Sequence, residues 1–257
     1  MITIKNISKT FFPNTNREHQ GLKSVSLTIE KGDFITIVGG NGAGKSTFLN
    51  AISGSFPIDQ GQIIIGDTDV TTLSEAKRAK FISRVYQNPL EGTAPRMTVE
   101  ENMALALRRG KRRTLRKASK KAELALFKTS LKKMNLGLEN RLSAEMGLLS
   151  GGQRQAIALL MATLQKPELL LLDEHTAALD PKTERTIMAL TKEKIEQENL
   201  TAMMITHNLQ DALNYGNRLI VLHRGEIVRD FNQKEKSQLT TTSLYQLLVD
   251  LDEQTVI

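Results

Sequence analysis

Apolar and polar residues follow two different rhythms along this chain. In the first part, ITIKNI, SVSLTI and the stretch QIIIG from Gln62 read as short strands separated by turn-rich stretches such as FPNTNREHQG. Together they predict an antiparallel sheet. FITIVGG, from Phe34, is instead a continuous apolar run, and LLLLD and TAMMIT repeat that character later. Such runs suit strands buried on both faces, as in a parallel core. Between the two kinds of signal lies a helical region over 99–109 and 114–135, with Leu115, Ala118, Ala122, Ala125 and Leu126 placed on one face of the second helix. Arg224, Gly225, Glu226, Ile227 and Val228 read as a further strand, and a helix is expected around 243–251. The pattern is that of an α/β protein. One domain over 1–257 is expected, with a helical part at about 90–160 inserted in the core and a tail at about 231–257 too short for an appended domain.

Composition adds limits. With 257 residues, 40% hydrophobic and 25% charged, the chain can fold as a soluble globular protein without staples. It has no cysteine, so disulfides and thiolate metal sites are excluded. The N-terminus reads as a strand and not as a secretory signal, so a cytoplasmic location is expected. No apolar run approaches the ~18 to 20 residues needed to cross a bilayer, and any membrane role must pass through a partner. The formal charge of +7 is mostly local: RRGKRRTLRKASKK, 108–121, holds nine of the 35 basic residues and none of the 28 acids, leaving 26 against 28 elsewhere.

The chemistry begins at GGNGAGKST, 39–47, which follows the FITIV strand and opens a helix, KSTFLNAIS, closed by Gly54. This is the phosphate-loop pattern in its required strand-loop-helix context. Gly39, Gly40, Asn41, Gly42, Ala43 and Gly44 bring backbone N–H groups close to phosphate oxygens, and the helix start adds about half a positive charge. Lys45 would reach the β and γ phosphates of ATP; the Ser46 hydroxyl, followed by Thr47, would bind Mg²⁺. The loop accounts for the acids that end LLLLDE, because a parallel strand's carboxyl end is where such sheets bind ligands. Asp173 would then hold Mg²⁺ through water, and Glu174 would polarise the attacking water as general base.

LSGGQ, 149–153, resembles the signature of the ATP-binding cassette (ABC) family, and the family's other elements appear in order around it: Gln87 in VYQNP as the Q-loop, LLLLDE as the Walker B strand, TAALD with Asp180 as the D-loop, and His207 in MITHNL as the switch histidine. The resemblance covers nearly the whole chain. It implies an ABC ATPase fold: a RecA-like parallel-sheet core, an N-terminal antiparallel β subdomain and an inserted α-helical subdomain. It also implies a head-to-tail dimer that sandwiches ATP between one copy's phosphate loop and the other copy's Ser150, Gly151, Gly152 and Gln153. By the same resemblance Gln87 touches Mg²⁺ and the attacking water, His207 holds the γ-phosphate and positions Glu174, and Phe11 stacks on adenine, with Phe12 a rival for that role.

Two features depart from the family pattern or stand outside it. His175 occupies the place where the family usually has proline; it is read as a tolerated substitution, or else as a group whose protonation near pH ~6.5 would weaken Glu174. The block 108–121 reads as a solvated helix face, or as a contact for anionic lipid headgroups. Nucleic acid is disfavoured, because no aromatics interleave the basic residues. DEHTAALDP and MTVEENMALAL resemble bacterial importer ATPases whose proposed substrates include tryptophan and related amino acids. That likeness implies separate permease subunits, an extracytoplasmic solute-binding protein as an indirect partner, and a peripheral place at the cytoplasmic face of the membrane. A soluble ATPase of iron–sulfur assembly and the ATPase of an exporter are the alternatives.

Overall fold

A computed structural model describes residues 1–111 and 121–253. In chain order the elements are β1 (Ile2–Phe11), β2 (His19–Ile29), β3 (Phe34–Val38), α1 (Lys45–Ser53), β4 (Gln60–Ile65), β5 (Thr68–Asp69), α2 (Glu75–Arg78), β6 (Ile82–Val85), α3 (Val99–Ala106), α4 (Lys121–Lys133), α5 (Gly151–Thr163), β7 (Leu169–Asp173), α6 (Pro181–Glu198), β8 (Ala202–Ile205), α7 (Leu209–Asn214), β9 (Arg218–His223), β10 (Glu226–Phe231), α8 (Gln233–Lys236) and α9 (Thr241–Glu253). They form two compact units, Met1–Arg78 with Leu200–Ile257, and Ala79–Asn199.

The first unit contains both predicted sheet types. An antiparallel sheet runs β2-β1-β4-β5, with Ile2 opposite Ile29 on one side and Ile65 on the other. β3 pairs in parallel with β8 and β9, and its five residues are all buried, as the unbroken FITIV run requires. The strand read at 224–228 is corrected. Arg224 and Gly225, with φ of 47° and 79°, form the tight turn joining β9 to an antiparallel β10 that starts at Glu226. Positive φ at two adjacent turn residues matches the twist of a hairpin.

Helix α1 is tied down at its C-terminal end by the fully buried Arg78. Its guanidinium donates to Ala51 O and Ile52 O at 2.7 Å each, to Thr71 O at 2.8 Å and to Leu73 O at 2.9 Å. Helix-end carbonyls lack intrahelical partners, and a cation there also meets the negative end of the helix dipole. Elsewhere in this unit the buried Lys236 ammonium donates to Thr36 Oγ1 at 3.2 Å, to Gly216 O at 3.1 Å and to Tyr215 O; burial lowers its pKa to about 8.

In the second unit β6 and β7 pair in parallel, and an apolar cluster joins α3, α4, α5 and α6 through Met103, Phe127, Leu131, Ile157, Leu160 and Ile187. The predicted face of the helix at 114–135 is corrected. Phe127 and Leu131 are buried, with Leu124 half-buried, whereas Ala122, Ala125 and Leu126 are exposed. The apolar register is displaced because the bulky Phe127 takes the core; Leu115 and Ala118 lie outside the described residues. Within the basic block, 112–120 also lies outside them. Arg109 serves neither a solvated face nor a lipid surface. It donates to Ala162 O at 3.0 Å and Gln165 O at 2.7 Å, closing the end of α5, and burial lowers its pKa. Arg108 pairs with Glu123 at 3.0 Å.

Candidate functional site: a phosphate loop and a two-acid turn

The residues singled out by sequence fall into two sets, one on each unit. On the first, β3 delivers the chain into 39–47 and α1 begins at Lys45. Gly44 caps that helix with φ 98°, and a Cβ there would lie 2.7 Å from Gly21 O, so only glycine fits. Gly44 has no side chain to accept from α1's first amides, and the first turn holds no acid. A helix start of this kind suits an anion. Lys45 is buried, and its Nζ donates to Gly39 O at 2.8 Å and Gly40 O at 3.0 Å, which aims the ammonium along the loop. Ser46, Asn41 and Gly42 are exposed, Thr47 is half-buried and Ala43 is buried. Amides, an ammonium and a hydroxyl together match the donor set that a polyphosphate requires.

Phe11 ends β1. Its ring meets Phe56 edge to face at 5.2 Å, and a Cβ on Gly21 would touch both Phe11 Cε2, at 2.9 Å, and Thr47 Cγ2, at 3.0 Å. The ring is therefore held beside the phosphate loop, whereas Phe12 is exposed, in a left-handed backbone at φ 51°. His207 is exposed just beyond β8, immediately before Asn208, which caps α7 by accepting from Gln210 N at 3.0 Å and Asp211 N at 3.3 Å.

On the second unit β7 carries Leu169, Leu170, Leu171 and Leu172, all buried, into Asp173 and Glu174. Glu174 has φ 46°, a conformation that costs a non-glycine residue about 1 kcal/mol or more and recurs at functional sites. Its carbonyl accepts from Ala177 N at 3.0 Å, so the chain turns sharply straight after the two acids. Asp173 pairs with Arg84 of β6, both side chains being largely buried. Asp173 and Gln87 line one cavity of about 330 Å³ together with Arg84 and Tyr86. Of these, Asp173 and Gln87 offer side-chain oxygens as metal ligands. Among the described residues no cluster of three or more His, Cys, Asp or Glu could hold a metal alone. A sparse oxygen set of this kind fits Mg²⁺, which keeps water and takes phosphate oxygens alongside one or two carboxylates.

The signature opens α5 with a reciprocal cap: Gln153 N donates to Ser150 Oγ at 3.3 Å, and Ser150 N donates to Gln153 Oε1 at 3.2 Å. A hydroxyl that accepts in this way still has its hydrogen to give. Gly152 has a packing role that sequence reasoning missed, because a Cβ there would lie 2.1 Å from Thr183 Cγ2 on α6. Gly151 is less confined, with Leu179 Cδ2 at 3.6 Å from such a Cβ. Asp180 caps α6, accepting from Thr183 N at 3.1 Å and Lys182 N at 3.2 Å, and its bonds to Thr183 hold its pKa below the usual carboxylate value. Signature and D-loop thus meet at Thr183.

His175 corrects one expectation. It is buried, its Nε2 lies 3.0 Å from Thr191 Oγ1, and burial lowers its pKa to about 4. Because the Thr191 hydroxyl already donates to Ile187 O at 2.8 Å, the imidazole is the donor to it, in the neutral Nε2–H form. His175 therefore stays uncharged near pH ~6.5, which removes the reading in which its protonation there weakens Glu174.

The comparisons with known proteins agree with this chemistry. Residues 22–177 match the ABC transporter family, and the chain belongs to it. It is an ATP-binding cassette ATPase. It is 46% identical over 245 residues to a tyrosine transport ATP-binding protein of Clostridioides difficile (strain R20291), covering 95% of this chain and 97% of that one. It is 33% identical to the phosphonates import ATP-binding protein PhnC of Lactococcus lactis subsp. cremoris (strain SK11), covering 95% and 98%. Among solved structures, the dimeric post-hydrolysis state of the cassette MJ0796 bound to ADP and Pi superposes with a TM-score of 0.76 at 32% identity, over 91% of this chain and 99% of that one. The cassette fold implied by the motifs is the fold of that structure.

Proposed function

We propose that this chain is the energising subunit of a bacterial ABC importer, acting at the cytoplasmic face of the membrane through separate permease subunits, with tryptophan or a related amino acid as cargo. The end-to-end likeness to a tyrosine transport ATP-binding protein carries this reading. A solute-binding protein outside the membrane delivers the cargo. Among the described residues no helix is long and apolar enough to cross a bilayer; in this proposal the permease partner carries the path for the solute.

In this reading Phe11 stacks on adenine, and the amides of 39–44 with Lys45 hold the β and γ phosphates. Ser46, Gln87 and Asp173, the last through water, are the residues that hold Mg²⁺. The bound ion neutralises charge that develops on the phosphoryl oxygens. Glu174 takes the proton of the attacking water, and His207 holds the γ-phosphate and orients Glu174. Ser150, Gly151, Gly152 and Gln153 of a second copy close over the same nucleotide, with Asp180 near the seam between copies. The helical part at about 90–160 carries the contact with the permease.

Purification in mild detergent from the native host tests the assignment. A polytopic membrane protein is expected to accompany the chain, and a strain lacking the chain is expected to lose uptake of labelled tryptophan or tyrosine. Recovery of soluble assembly factors alone would replace the importer with the iron–sulfur reading. Outward transport by the purified complex would replace it with an exporter.

A further inference from the structure

The mechanism above gives no task to Arg84, a largely buried cation. Arg84 stands on β6 in register with Leu171 of the neighbouring β7, two residues before Asp173. Its Nη2 donates to Asp173 Oδ2, with side-chain exposures of 11% and 14%. The guanidinium also stacks over the Tyr86 ring, 4.7 Å from its centroid, and Tyr86 immediately precedes Gln87. Tyr86 is itself fixed, its carbonyl accepting from Gln155 Nε2 of α5 at 3.1 Å. A planar cation held by stacking on one side and by a carboxylate on the other is pre-organised and loses little freedom in making the pair.

We infer that Arg84 is a positioning residue, an internal counter-cation of Asp173 that sets how strongly nucleotide binding depends on a divalent ion. This rests on the reading of Asp173 as a metal-side carboxylate. Two consequences follow from one fixed positive charge. With Arg84 present, Asp173 repels a metal-free triphosphate less, and it also attracts a divalent cation less. The recorded bond uses one carboxylate oxygen, and a carboxylate has about four acceptor positions, so Asp173 can accept from a metal-bound water without breaking the pair. The reaction runs with Arg84 in place.

The test is equilibrium binding of a non-hydrolysable ATP analogue to the full chain, with saturating Mg²⁺ and with EDTA, for wild type, Arg84→Met and Arg84→Lys. In Arg84→Met the metal-free affinity is expected to fall and the Mg²⁺-supported affinity to rise. The ratio of the two should grow about tenfold, as expected for one unit charge several ångströms away in a partly screened site. Arg84→Lys should restore the wild-type ratio. An unchanged ratio, or both affinities falling by the same factor as a purely structural residue would cause, overturns the inference. If Arg84→Met does not fold, judged by its thermal melt, Arg84→Gln is read by the same ratio. A wild-type chain that binds the analogue equally well with and without Mg²⁺ would instead refute the metal role of Asp173.

Discussion

Helices α1 and α5 are alike at one end and opposite at the other. Each finishes on a half- or fully buried arginine that collects carbonyl oxygens, Arg78 for α1 and Arg109 for α5. Their beginnings diverge: α1 starts behind a left-handed glycine with no side-chain cap, whereas α5 starts with Ser150 and Gln153 capping one another. The difference teaches that the two motifs are completed differently. The start of α1 meets no side-chain cap and so suits an anion, whereas the signature first caps its own Ser150 and Gln153 amides and has the Ser150 hydroxyl hydrogen and the first-turn amides of Gly151 and Gly152 to offer outward.

The sharpest way to break that comparison is to remove Lys45 and Ser150 in turn. Lys45→Ala is expected to lower ATP hydrolysis about 10²-fold or more and to weaken nucleotide binding by dilute, unpaired chains. Ser150→Ala should leave binding by unpaired chains unchanged and cost about 1 kcal/mol of unfolding free energy through loss of the cap. Equal losses of binding in calorimetric titrations of the two variants would erase the distinction. The shared ends come next. Arg78→Ala abandons four carbonyls in a fully buried place and should destabilise by about 3 kcal/mol in urea unfolding, while Arg109→Ala abandons two and should cost about 1 to 2 kcal/mol. A larger loss at Arg109 would show the C-terminal anchors to be unequal in the opposite sense. Smaller again is Gly152→Ala, expected to cost about 1 to 2 kcal/mol because the new methyl meets Thr183; the double variant with Thr183→Ser, which lacks that methyl, should recover most of it. No recovery would mean that Gly152 is small for a reason outside this packing.

Local chemistry made much of this legible in the sequence. FITIV, LLLLD and TAMMIT announce buried strands because no charged residue interrupts their cores, and α1 was readable at both ends, from Lys45 to the left-handed Gly54 that closes it. The antiparallel segments at the N-terminus were equally plain. What stayed hidden depends on partners far apart along the chain. Arg84 and Asp173 are separated by 89 residues, and no spacing rule joins them. Arg109 looked like one more member of a basic run until its carbonyl partners, 53 and 56 residues away, appeared. The register of α4 failed for a related reason: alanines and leucines fit several faces of a helix, and only the neighbouring packing selects Phe127 and Leu131. A hairpin turn inside the apparent strand at 224–228 could have been suspected from Gly225, since a glycine within a strand pattern often marks a break.

Lys236 carries a consequence for alkaline solutions. At neutral pH its ammonium is charged whether the chain is folded or not, so it adds no pH slope. Between about pH 8, where it titrates in the folded chain, and its ordinary value near 10.5, only the unfolded chain keeps the proton. The unfolded form then binds more protons, so rising pH in this interval pulls the equilibrium toward the native form. A Lys236→Met chain should lack this contribution, and the difference between the two unfolding free energies, followed from pH 8 to pH 10, isolates it. The lysine beneath β3 thus gives the cassette a small reserve of cohesion in base, where many proteins begin to loosen.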